Sequence, residues 1–216
     1  MINAYITVAR SSREETVINK SRFIGYAAPC ISESEALAFL QSVREEHKTA
    51  THHCYAYIIG ENSGIMRYSD DGEPGGTAGL PMMDVIRARN IVNCCVVVVR
   101  YFGGTLLGTG GLVRAYSGAV REGLKNCRVL TRKQGILLSI RTDYTDLGKI
   151  QYLLGQNNIP TMDSVYADTV ELKVVVEENR SAFLKEALRE ATSARVLFAG
   201  EENVVFADDG RGPVLL

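Results

Sequence analysis

An α+β chain of two domains is what this sequence predicts, and three observations predict it. Strand-like and helix-like segments alternate along its 216 residues. One polar connection, NCRVLTRK at 126–133, divides them. The segments after it run βαββαβ within roughly 75 residues, the order of the ferredoxin-like split motif. The expected domains are therefore 1–130 and 131–216.

Each element has a local reason. Residues 13–31 read as a hairpin or bent strand pair, with Thr16, Ile18, Phe23, Gly25 and Ala27 among their positions. Ser32 with Glu35 forms a capping box. Leu37, Leu40 and Val43 then give a helical stripe over 33–46. HCYAYIIG at 53–60 is a strand, ENSG a turn, and 65–68 a short partner strand. SDDGEPGGTAGLP at 69–81 is glycine- and proline-rich and forms a loop. Met82, Val85, Ile86 and Ala88 or Arg89 define a helix that Asn90 can end. Cys94–Val99 is apolar at every position, so it is a central strand buried on both faces. Leu112, Tyr116, Ala119, Val120 and Gly123 line one side of a helix at 111–124.

The second domain starts with a strand at 135–141. Asp143 and Thr145 supply capping oxygens ahead of a helix carrying Leu147, Ile150 and Leu154. Strands follow at 161–166 and 170–176, with Pro160 ahead of the first. Asn179 caps a helix with Phe183, Leu184, Ala187 and Leu188 inward, and 195–206 holds the last strand. The tail DDGRGPVLL is irregular.

The composition excludes several classes. The chain is 46% hydrophobic and 23% charged, with a net charge of −1. No global field marks a nucleic-acid or membrane-surface binder, so any basic site is a local patch. The longest apolar run is too short to span a bilayer, and the first residues lack a signal-peptide core. The five cysteines contain no C-x-x-C and read as reduced, buried thiols. The expected location is the cytoplasm, with no membrane partner.

YFGGTLLGTGGLVRAY at 101–116 has five glycines after an apolar strand and before a helix. A P-loop requires lysine after its last glycine, whereas Thr109 and Gly110 follow Gly108. The dinucleotide fingerprint requires a final glycine, where Val113 stands, and an acidic residue about twenty positions on, which is absent. A weaker phosphate site remains. Gly103 and Gly104 open the loop, Gly110 and Gly111 leave amides free, Thr105 and Thr109 add hydroxyls, Arg100 and Arg114 add charge, and Tyr101 and Phe102 offer planar faces, with Tyr101 expected to stack. Glycines also serve tight turns and close packing, which explains the loop equally well. Lys20, Arg22, Arg87, Arg89 and Arg121 are further phosphate-contacting candidates.

An enzymatic alternative places the acid or base on Asp70, Asp71 or Glu73 with His53 or its neighbour His52. These acidic residues do not match the EF-hand spacing, and Asp-Gly with Glu-Pro-Gly-Gly is strong turn chemistry. His52 and His53 face opposite sides of a strand and do not converge on one ion. Ser69 and Ser117 lack a nucleophile elbow, and Cys54 pairs with His53 in sequence only. No metal site and no cofactor is expected.

KSRFIGYAAP (20–29), ATHHCYAY (50–57), YSDDGEPGGTAGLPM (68–82) and VVVVRYFGGTLLGTGGLVRAY (96–116) closely resemble the IMPACT family, in its bacterial YigZ/YvyE-like branch. The resemblance implies a ribosomal protein S5 domain 2-like first domain, a sheet with helices on one face. It implies that the ferredoxin-like second domain is similar to domain V of elongation factor G. Eukaryotic relatives regulate translation through protein partners, using an extra N-terminal domain outside the resemblance. The expectation is a non-enzymatic protein bound to RNA or the ribosome through its first domain. The second domain would contact a protein partner. The rivals are a hydrolase or transferase at the acidic loop and a protein-only scaffold.

Overall fold

Alternation along one strand decides the architecture of the first half of the chain. A computed structural model of the protein describes residues 4–208 and 213–215. The chain divides into two compact units, Met1–Leu130 and Thr131–Leu216. The first contains β1 (Ala4–Val8), β2 (Ser12–Ile18), β3 (Ser21–Pro29), α1 (Glu33–Glu46), β4 (His52–Ile59), β5 (Ile65–Ser69), α2 (Gly79–Ala88), β6 (Cys94–Tyr101) and α3 (Gly108–Asn126). Its sheet runs β2-β3-β6-β4-β5, every neighbouring pair antiparallel.

In β6 successive side chains point to opposite faces. Cys94, Val96 and Val98 pack with Phe23, Met82, Ile86, Tyr116 and Val120 from β3, α2 and α3. Cys95, Val97 and Val99 pack with Ile24, Tyr26, Ala36, Leu40 and Val43 from β3 and α1. Both faces are therefore covered, which corrects the one-sided sheet that the family resemblance implied. The apolar strand required it: leaving Cys95, Val97 and Val99 in water would forfeit about 1.5–3 kcal/mol for each valine. All five cysteines are free and buried.

Other local expectations shift for identifiable reasons. Ser32 Oγ accepts the Glu35 amide at 3.2 Å, but the Glu35 carboxylate returns to the Ile31 amide at 2.9 Å, one residue earlier than in a capping box. Leu37 is 48% exposed, and Ala36 takes the inward position beside Leu40 and Val43. Asn90 follows α2 in a left-handed conformation (φ 53°), as a helix-ending residue should. β1 lies outside the elements that the sequence predicts; the Val92 amide holds it by donating to Ile6 O at 2.9 Å.

The second unit contains β7 (Val129–Thr142, its first two residues closing the first unit), α4 (Tyr144–Gln156), β8 (Thr161–Tyr166), β9 (Val170–Glu177), α5 (Glu178–Ala191), β10 (Leu197–Asp208) and β11 (Pro213–Leu215). The strands run β11-β10-β7-β9-β8, again antiparallel throughout. β7 reaches into the polar connection because β10 pairs with it as far as Thr131; backbone bonding there overrides side-chain polarity. Ile136, Leu138 and Ile140 of β7, Leu172 and Val174 of β9, Ile150 and Leu154 of α4, and Leu184 and Leu188 of α5 form the core. Glu177, not Asn179, precedes α5, and Phe183 is 64% exposed instead of inward. Asp143 precedes α4 without a side-chain cap bond. The tail is not wholly irregular, since Pro213–Leu215 pairs with β10; residues 209–212 and 216 lie outside the described residues.

Candidate functional site

The acidic loop and the glycine loop face each other across a cleft of about 460 Å³ in the first unit. Its polar wall is Thr51, His52, Glu73, Arg100 and Thr109. Phe102, Leu106, Leu107, Leu112 and Pro74 make the apolar wall.

The acidic loop is built by its own carboxylates. Asp70 Oδ1 accepts the amides of Ala78 at 3.0 Å and Gly79 at 2.8 Å, and Oδ2 accepts that of Gly76 at 2.8 Å. It thus satisfies the first turn of α2 from outside the helix. That is why α2 begins at Gly79, inside the segment expected to be loop. Asp71 Oδ2 accepts the His53 amide at 2.6 Å, and Oδ1 accepts from the Arg44 guanidinium at 3.1 Å. Asp70 and Asp71 therefore serve backbone and α1, away from the cleft floor.

Glu73 alone turns inward. Its side chain is 3% exposed, and its Oε1 accepts from Arg100 Nη1 at 2.6 Å and from the Tyr116 hydroxyl at 2.7 Å. Arg100 lies between the rings of Phe23 and Phe102, 5.3 and 5.4 Å from their centroids. Its Nη2 reaches Ser21 Oγ at 3.4 Å, and its buried Nε has no hydrogen-bond partner among the described residues. Burial pushes the Tyr116 hydroxyl far above its ordinary value, with Cys54 and Glu73 adding to the effect. Burial likewise pushes the Cys54 thiol up to about 12. No thiolate is available there at neutral pH, which removes the Cys54–His53 pair as a nucleophile.

The cleft histidine is His52, not His53. His52 Nδ1 donates to Asp71 O at 2.8 Å, and Nε2 stands 3.8 Å from Glu73 Oε1. The His53 ring lies on the opposite side of β4, its Nε2 3.1 Å from His47 O. No group of three or more His, Cys, Asp or Glu that could hold a metal ion occurs among the described residues.

The glycines divide by duty. A Cβ at Gly103 would stand 2.0 Å from the Lys20 carbonyl carbon, so Gly103 lets β6 pass the β2–β3 turn. Gly104 and Gly108 hold φ of 79° and 68°. Gly110 meets nothing but the tip of Arg114, 3.7 Å from its would-be Cβ, and Gly111 meets Leu107 Cβ at 3.0 Å. α3 starts without a side-chain cap or an acidic residue in its first turn. Its leading amides stay open, and Arg114 folds back over them.

The predicted phosphate-binding set is thereby split. Thr109, Gly110, Gly111 and Arg114 stand together. Arg100 is near but only 5% exposed and committed to Glu73. Tyr101 points to the α1 side, where its hydroxyl is 2.9 Å from His47 Nδ1. Of the two aromatics that the sequence offers, Phe102 and not Tyr101 reaches the cleft, 47% exposed, because period-two alternation puts Arg100 and Tyr101 on opposite faces. Beyond the cleft, Arg89 and Arg121 flank a groove of about 340 Å³ between α2 and α3, together with Asp84.

Comparison with known proteins places these features in a wider set. The Impact N-terminal domain matches residues 19–124, and a domain of unknown function, DUF1949, matches 140–195. IMPACT family member YvyE of Bacillus subtilis (strain 168) is 42% identical over 195 residues, covering 90% of this chain and 90% of that protein. IMPACT family member YigZ of Escherichia coli (strain K12) is 41% identical over 161 residues, covering 74% and 79%. A crystal structure of a hypothetical protein is similar with 35% identity and a TM-score of 0.60, covering 94% of this chain and all of that one.

Proposed function

Since the chain belongs to the IMPACT family, we propose that it is a non-enzymatic RNA-binding protein that acts in translation, with the ribosome as its place of contact. The observation that carries this reading is a row of exposed, unpaired cations. Arg114 and Arg121 lie seven residues apart on α3, about 10 Å along the helix axis. Arg89 faces Arg121 across the α2–α3 groove. All three are exposed, and none has a carboxylate partner among the described residues. Guanidinium groups left free in this way suit phosphate oxygens. The open amides of α3 extend the row toward the cleft.

The second unit supports a docking role. Its βαββαβ order and the strand order β10-β7-β9-β8 support reading it as ferredoxin-like, in the manner of domain V of elongation factor G. β8 is an open edge with Val165 and Tyr166 exposed, a surface suited to a protein partner. The first unit we read as S5 domain 2-like, with α1 covering its second face.

The test is binding of ribosomes and of single-stranded RNA across a salt series, with nuclease-treated controls. Affinity falls with salt, and Arg114→Ala with Arg121→Ala lowers the salt slope by about one for each phosphate that is no longer neutralised. Absence of binding at low salt, or binding indifferent to this pair of substitutions, overturns the reading.

A further inference from the structure

Two of the free arginines, Arg89 and Arg121, lie outside the cleft and leave its contents unexplained. One end of the cleft is an anion seat: open amides at the start of a nineteen-residue helix, the Thr109 hydroxyl, and Arg114 folded over Gly110. The other end is a planar, apolar wall, where Phe102 is 47% and Leu106 86% exposed. Between them lie polar groups with unused capacity. Arg100 is 95% shielded yet its Nε has no hydrogen-bond partner among the described residues, and the His52 ring is held in place from behind by Asp71 O, at 2.8 Å from Nδ1. A volume of about 460 Å³ is of small-ligand size.

We propose that this cleft binds one nucleoside monophosphate unit, with its phosphate on the first turn of α3, its base against Phe102, and its sugar or base edge toward His52 and Glu73. The lysine that would grip a longer phosphate chain is absent, which favours a single phosphate. Two sources have this chemistry: a free mononucleotide, or an unstacked nucleotide of an RNA strand. The second source rests on the protein being an RNA binder.

The test is a titration of the intact protein with AMP, GMP, CMP and UMP, and with adenosine and inorganic phosphate as partial ligands. Mononucleotides bind at least about tenfold more tightly than either part alone. Phe102→Ala, at an exposed position, weakens them about tenfold, and Phe102→Trp restores them. A short single-stranded RNA that displaces labelled AMP identifies the strand as the source, and failure to displace it identifies the free mononucleotide. No mononucleotide binding at millimolar concentration, equal binding of inorganic phosphate, or unchanged affinity in Phe102→Ala overturns the proposal. RNA binding that persists with no mononucleotide binding overturns this inference alone and leaves the arginine surface standing.

Discussion

Arg100 Nη1 and Glu73 Oε1 meet at 2.6 Å with 6% and 3% of their side chains exposed. This pair joins β6 to the acidic loop and sets the floor of the cleft. Removing one partner strands the other charge away from water. Glu73→Ala is expected to cost about 3–5 kcal/mol, measured by urea unfolding. Combining it with Arg100→Met recovers most of that loss, because no lone charge then stays buried. A single Arg100→Ala variant tests stability, not RNA binding.

The glycines of the 103–111 loop separate by substitution. Gly103→Ala drives a methyl into the Lys20 backbone and costs about 1–3 kcal/mol or more. Gly104→Ala meets no neighbour but keeps φ at 79°, at a cost of about 1–2 kcal/mol. Gly110→Ala has room and a helical backbone, so it stabilises the protein by up to about 1 kcal/mol. The same methyl crowds the open amides and weakens RNA binding. Stability rising while affinity falls is the signature expected, read by thermal unfolding beside the salt-series assay.

Asp70 accepts three amides, two of them at the start of α2. Asp70→Ala is expected to cost about 2 kcal/mol and to fray α2 from Gly79. Hydrogen exchange at Ala78 and Gly79 rises first, ahead of the α2 core.

His47 supplies a pH dependence. Burial lowers its pKa below the ordinary 6.5, with opposition from Glu46 and smaller lowering by Arg13, His53 and Arg22. Its ring sits between the Tyr26 and Tyr101 hydroxyls at 2.7 and 2.9 Å. The unfolded chain therefore binds a proton more readily than the native one. The His47 contribution is intact above about pH 6.5 and is lost as pH falls toward the lower native value. Urea midpoints measured between about pH 7.5 and pH 5 fall with acid, and His47→Gln flattens that part of the slope.

Much of this was legible in the chain. The inward stripe of α3, the two-faced burial of Cys94–Val99 and the βαββαβ order follow from periodicity, which is a local property. The cleft is harder to read. Glu73 looks like its neighbours Asp70 and Asp71 in sequence, and only the β3–β6–β4 register brings Arg100, Tyr116 and His52 around it. Alternation did separate His52 from His53 in advance. Applied one step further, it would also have parted Tyr101 from Arg100.

The place of β6 between β3 and β4 bears on synthesis. β3 and β4 are translated well before β6, yet neither touches the other in the finished sheet, and both bond to the strand that arrives last. The emerging chain must hold two half-paired ribbons apart until Cys94–Tyr101 leaves the exit tunnel. Closure of the first unit is therefore tied to a late, long-range insertion, and a ribosome pause before that strand prolongs the interval in which Ile24, Tyr57 and their neighbours lie open to other chains.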